Sequence, residues 1–188
     1  MSDAETLIAK IEEVVRLAAV LVADMAEAVP DLACQRHRRS YVRAAFAFVE
    51  GTLFGLKGIL LGFSAHFGTP LEPGETELLE ENSYGLKEDG SVRVSPALLR
   101  LPDNVRFAFA LAAKVSGAPT TVRYDDDGWA SFKESIRVRN RLVHPKAPAD
   151  LVVTDLEMAR LDKATAWYRD SAIDIMVKIK ASVIARGA

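Results

Sequence analysis

The sequence predicts an all-α protein, an up-and-down bundle of about five main helices with a small β-hairpin insert. Three observations carry this. Over most of the chain, apolar residues recur at the three- and four-residue spacing of a buried helical face. One stretch, about residues 69–101, breaks that rhythm and contains Asp89-Gly90, a hairpin-forming dipeptide. The 188 residues are 49% hydrophobic, enough for a core without disulfide or metal staples. Residues 1–188 read as a single helical-bundle domain.

The first helix opens at Ser2 or Asp3 as N-cap and runs to Val29, where Pro30 stops it. Leu7, Ile8, Ile11, Val14, Val15, Ala18, Leu21, Val22, Met25 and Val29 form its buried face. The second runs from about Asp31 or Leu32 to Phe67. Gly51, Gly55, Gly58 and Gly62 recur within it, each weakening a helix by roughly 1 kcal/mol. Close approach of a neighbouring helix explains them better than a membrane dimer motif, because Glu50 and Lys57 stand among them. In the insert, Pro70, Pro73 and Gly74 predict a loop, made acidic by Glu72, Glu75, Glu77, Glu80 and Glu81. Two short strands flank Asp89-Gly90. Helix resumes from about Asp103 to Ser116 and ends at Gly117. A fifth helix spans about Gly128 to Val143. Asp125, Asp126 and Asp127 before it could ligate a metal, but an N-cap and a complement to the helix dipole explain them more simply. The last helix begins at the capping box of Thr154 and Glu157 and runs to about Ala185.

Charge and cysteine content exclude several classes. Lys+Arg 24 against Asp+Glu 26 gives a net charge of −2, so bulk attraction to nucleic acid is ruled out and only a local basic patch could supply it. Cys34 is the single cysteine; it excludes an intramolecular disulfide and a multi-cysteine zinc site, and it reads as a buried thiol. The apolar stretch 14–29 holds Arg16, Asp24 and Glu27, which argues against a membrane span. The first residues lack the positive charge of a signal peptide. The expectation is a cytoplasmic protein without membrane attachment or cofactor, and no metal ligands are assigned.

One constellation points to chemistry. Positions 133–146 carry Lys133, Arg137, Arg139, Arg141 and Lys146 against the single acid Glu134, and end in His144-Pro145. Proline pushes the residue before it out of the α region, so the helix ends at His144. Asn140 and His144 are four apart and share a face. Arg139 and His144 are five apart, about 140° round a regular helix, so they converge only if the imidazole swings back where the helix frays. Arginine grips phosphate bidentately and stabilises a pentavalent phosphorane. Histidine moves protons near neutral pH, and the helix C-terminus favours a cation. In RNA the 2′-hydroxyl is a built-in nucleophile, so no metal is required. One arginine and one histidine make half a site, which a two-fold dimer would complete. The bland alternative is a helix stop with a basic last turn. By composition, arginine followed five residues later by histidine arises about 0.2 times by chance, and about 0.02 times when Asn, Asp or His directly follows the arginine, or about 0.07 times if gaps of four to six residues are all allowed.

Arg139, Asn140 and His144, near a helix end in an all-helical chain, resemble the signature of the HEPN superfamily (higher eukaryote and prokaryote nucleotide-binding). That signature is arginine, a polar residue, then a short gap to histidine. The resemblance implies a four- or five-helix bundle and a metal-independent endoribonuclease whose composite site forms across a homodimer. Many members are toxins or antiviral defence effectors, some with a cognate antitoxin; others lack nuclease activity. Arg139 and His144 would then be catalytic, with Asn140 positioning one of them. One toxin branch has a modifiable tyrosine two residues after the histidine; here that position is Lys146. The competing class is a non-catalytic helical module that binds nucleotide, RNA or a protein partner through the same basic helix.

Weaker candidates complete the reading. Arg36, Arg38, Arg39 and Arg43, with His37 among them, form a second basic patch. Arg38 and Arg39, with Arg137, Arg141 and Lys146, are candidate RNA-backbone contacts; a solvated helix start is the alternative for the 36–43 patch. Glu50 is expected to pair with an arginine of the motif helix rather than act as acid or base, and His66 reads as structural.

Overall fold

The computed structural model describes residues 2–28 and 31–187. Among them are six α-helices: α1 Asp3–Ala28, α2 Gln35–Phe67, α3 Pro73–Leu79, α4 Leu101–Ser116, α5 Asp127–Val143 and α6 Asp155–Gly187. Strands β1 Asn82–Leu86 and β2 Val92–Pro96 pair antiparallel, with Asn82 opposite Pro96 and Leu86 opposite Val92. The fold is therefore the all-α bundle with a small hairpin that the periodicity predicts, and Asp89-Gly90 lies in the hairpin turn.

The ends of the helices follow local chemistry. Ser2 Oγ accepts from the Glu5 N–H and Glu5 Oε2 accepts from the Ser2 N–H, a capping box for α1. The expected stop at Val29 and Pro30 lies outside the described residues. Helix α2 begins later than the sequence suggests, because the Asp31 carbonyl accepts from the Cys34 N–H in a preceding turn. The acidic loop is corrected in part: Pro73 opens the short helix α3, and Glu75 and the Glu72 backbone close a capping box there. Pro at a first helical position is well tolerated. Of the three aspartates before α5, Asp126 Oδ1 caps the Trp129 N–H at 2.9 Å, Asp125 pairs with Arg123 and Asp127 with Lys163. Capping and surface pairing account for all three.

Helix α2 is long and apolar enough to cross a membrane, but 56% of its most apolar window is buried within the fold, as in the core helix of a folded domain.

The chain divides into two compact units. The first comprises residues 2–12, 53–120 and 175–187. Leu7, Leu56, Leu60, Phe63, Val105, Phe109, Ile179 and Val183 fill its interior. Lys57 is buried among them at 1% exposure. Its ammonium donates to the Leu78 carbonyl and to Glu81 Oε1, both at 2.9 Å, and Asn104 Nδ2 donates to the same carboxylate. Burial alone would raise the Glu81 carboxyl; these hydrogen bonds outweigh it and hold Glu81 below its ordinary value. The base of the hairpin is tied to this pair, since the Ala97 N–H donates to the Glu81 carbonyl.

The second unit comprises residues 13–52 and 121–174. Its core is aromatic. Trp129, Phe132 and Tyr168 stack in succession at 5.5 and 6.1 Å, and Trp167 lies 5.0 Å from Trp129. The buried Tyr168 hydroxyl donates to the Val49 carbonyl, which meets the polar requirement of burying a tyrosine. Two of the glycines of α2 mark close approach, as expected: a Cβ at Gly51 would lie 3.2 Å from Leu21 Cδ1 in this unit, and one at Gly62 would lie 3.1 Å from Leu7 Cδ1 in the first. Gly58 meets nothing within 4 Å, so close approach does not explain it.

Gly128 makes the tightest approach in the aromatic core. A Cβ there would stand 2.7 Å from Trp167 Cβ and Cδ1, and neither atom can give way without moving α6. Gly128→Ala should therefore destabilise the protein by about 1–3 kcal/mol through overpacking, against a helix-propensity gain of about 1 kcal/mol at most. Urea unfolding followed by tryptophan fluorescence checks this; an unchanged or raised midpoint would contradict it.

Candidate functional site

The site lies at the end of α5. Arg139 reaches across to α2, where its Nη2 donates to Glu50 Oε1 at 2.6 Å. Its Nη1 donates to Asn140 Oδ1 at 3.2 Å. Arginine and amide are thus joined, and Asn140 orients the guanidinium. Glu50 is the structural partner that its place in an apolar stretch suggests. Both members of the pair are partly exposed, at 31% for Arg139 and 43% for Glu50. One edge of the guanidinium therefore stays open to solvent.

His144 is the C-cap of α5, with φ −125° and ψ 60°, outside the helical region as Pro145 requires. Its N–H donates to the Asn140 carbonyl at 3.0 Å. The side chain is exposed. Among the described residues its imidazole makes no hydrogen bond or ion pair. The structure therefore joins Arg139 and Asn140 by a hydrogen bond and shows none from the imidazole to either among the described residues.

The residues after His144 are fixed from several sides. Asp150 Oδ2 accepts from the N–H groups of Lys146 and Ala147 at 2.8 and 3.0 Å, bonds that hold the Asp150 carboxyl below its usual range. Four successive carbonyls then accept from side chains. Arg141 Nε donates to Asp150, Arg39 Nη1 to Leu151, Arg141 Nη2 to Val152, and both Arg38 Nη1 and Gln35 Nε2 to Val153. The Val153 N–H in turn donates to Gln35 Oε1. Arg38 further pairs with Asp155 at 2.5 Å, and Arg141 grips Glu157 at 2.6 and 3.0 Å.

Three of the candidate RNA contacts, Arg38, Arg39 and Arg141, thus donate within the fold. All three donate to the chain's own carbonyls, and Arg38 and Arg141 also to carboxylates, because buried backbone oxygens outside regular helix need donors. Arg38 is only 16% exposed. Arg36, Arg43, Lys133, Arg137 and Lys146 are the exposed cations of the two basic patches. Arg137 pairs with Glu134 at 2.7 Å on the surface.

Sequence reasoning also missed a group at the start of α2. Cys34 is half-buried rather than buried. Donor atoms of Asp31, Cys34 and His37 lie within 4.8 Å of one another, a set that could hold a metal ion. The three-residue spacing across a helix start was the available signal. His37 Nδ1 stands 3.1 Å from the Asp31 carbonyl and 3.5 Å from its carboxylate.

Comparison with known proteins gives no guide: no family model, curated protein or solved structure matches the chain.

The Arg141–Glu157 grip has a pH signature. Hydrogen bonding from Arg141 is the largest cause that holds the Glu157 carboxyl down, at about 2 against an ordinary 4.5. A depressed pKa gives stability that is fully present above pH 4.5 and is lost as pH falls through about 2. Glu157→Gln should lower stability at pH 7 and flatten its fall between about pH 5 and 2. Thermal melts across that range check this; a variant with the wild-type acid profile would contradict it.

Proposed function

We propose that this protein is a metal-independent endoribonuclease, with a composite site built from Arg139, Asn140 and His144 of two copies. The observation that carries the reading is the disposition of the α5 end. A guanidinium is oriented by the amide beside it, and His144, the C-cap of the same helix, carries an exposed imidazole without a hydrogen-bond partner among the described residues. The likeness of these residues to the HEPN signature supports it. Within one chain the imidazole makes no hydrogen bond to either group, and a second copy would supply the second histidine that two-sided proton transfer needs.

In this mechanism one His144 takes the proton of the RNA 2′-hydroxyl as its oxygen attacks the adjacent phosphorus. Arg139 binds the non-bridging oxygens and stabilises the phosphorane. The second copy's His144 protonates the departing 5′-oxygen. The products are a 2′,3′-cyclic phosphate and a 5′-hydroxyl. Arg36, Arg43, Arg137 and Lys146 would attract the strand. A role as a toxin or defence effector, held in check by an antitoxin and acting in the cytoplasm, is the biological setting this chemistry suits.

A second reading is supported by the Glu50–Arg139 ion pair, which part-neutralises the arginine. Here the same helix end is a non-catalytic module that binds nucleotide, RNA or a protein partner.

Incubation of single-stranded RNA with the purified protein in EDTA discriminates them. Cleavage to 2′,3′-cyclic ends is expected. His144→Ala should lower the rate about 10²–10⁴-fold and Arg139→Ala about 10²–10³-fold, with a smaller loss for Asn140→Ala. Cleavage that needs Mg²⁺, or that survives both the histidine and arginine substitutions, would overturn the assignment. RNA binding without cleavage, strengthened by Glu50→Gln, would establish the module instead.

A further inference from the structure

We infer that a cleft between α5 and α6 is a phosphate-binding site, distinct from the Arg139–Asn140 pair. The cleft measures about 230 Å³ and is lined by Glu134, Ser135, Arg137, Arg141, Glu157 and Arg160, with Val138. Three guanidinium groups thus face two carboxylates. The carboxylates are already taken, Glu157 by Arg141 and Glu134 by Arg137.

Two unmet groups point to a ligand. Arg160, half-buried on the second turn of α6, makes no hydrogen bond or ion pair among the described residues. An arginine that is held against a cleft without a counter-ion has five donors to offer. Ser135 is 1% exposed, and its Oγ has no hydrogen-bond partner. A buried hydroxyl left unpaired costs roughly 1–3 kcal/mol, and an anion in the cleft would relieve that cost. Arg137, whose side chain is 77% exposed, holds its glutamate only weakly and can turn to a stronger acceptor.

Size and charge select the ligand class. The volume falls below the roughly 300 Å³ at which pockets begin to enclose a drug-sized molecule. It suits a phosphoryl group with its remainder outside. Arginine forks match phosphate oxygens bidentately, which favours a tetrahedral dianion over a monocarboxylate. Arg137, Arg141 and His144 follow one another on α5 at four and three residues, so the cleft lies on the His144 side of the helix. Arg139 lies on the far side. The inference stands without the nuclease reading.

Calorimetric titration of the whole protein with inorganic phosphate, a 5′-mononucleotide and a 2′-O-methyl RNA oligomer with hydroxyls at both ends tests it. The oligomer cannot be cleaved by 2′-attack, so nuclease activity does not enter the result. Phosphate binding is expected, weakened at least about 10-fold by Arg160→Gln and less by Ser135→Ala. Arg160→Lys should recover part of the affinity. If the oligomer displaces phosphate, the source is an RNA backbone; if only the mononucleotide does, it is a free phosphomonoester. Phosphate-induced amide shifts in the wild type should centre on positions 134–141 and 157–160. Absence of binding by all three probes, shifts centred elsewhere, or wild-type affinity in Arg160→Gln would overturn the proposal.

Discussion

Four consecutive backbone carbonyls, at positions 150–153, are each held by an arginine or glutamine side chain. The connection from α5 to α6 depends on this constraint. The segment makes one short 3₁₀ turn, Pro148–Leu151, and then runs extended at Val152, so the carbonyls from Asp150 to Val153 take their donors from side chains. Charge-assisted bonds to carbonyls are stronger than neutral ones, and donors from α2 and α5 converge on one short strap. Asp150 adds the reverse polarity and accepts from the Lys146 and Ala147 N–H groups. His144 sits directly before this strap, so the clamp fixes where the helix ends and where the imidazole begins.

The clamp also explains how far the sequence could be read. Helix positions, the hairpin at Asp89-Gly90, the N-cap at Ser2, the capping box at Thr154 and the end of α5 before Pro145 all depend on short-range patterns. They were legible for that reason. The same holds for Glu50, a lone carboxylate in an apolar run that needed a cation. The carbonyl bonds of Arg38, Arg39 and Arg141 were not legible, because a guanidinium serves a phosphate and a row of carbonyls equally well, and the carbonyls lie over a hundred residues from Arg38 and Arg39. Asp31, Cys34 and His37 escaped notice because no single helical face contains them; a turn before α2 brings them together. Residues read as one domain form two compact units, a division that helix periodicity does not reveal because α1, α2 and α6 each contribute to both.

The functional proposals use what the clamp leaves over. Three arginines of the basic patches serve the fold. Arg139 is held by Glu50 and Asn140, and Arg160 lines a cleft without an ion pair among the described residues. Net charge is small, so attraction for an anion depends on these few placed groups rather than on the chain's overall field.

Amide hydrogen exchange in Arg141→Ala tests the central claim most directly. If the arginines hold the strap, the Lys146, Ala147 and Val153 amides should exchange at least about 10-fold faster than in the wild type, while amides within α2 and α6 keep their protection. Unchanged protection at those three amides would contradict the account, because the strap would then be held without the guanidinium that bridges Asp150, Val152 and Glu157.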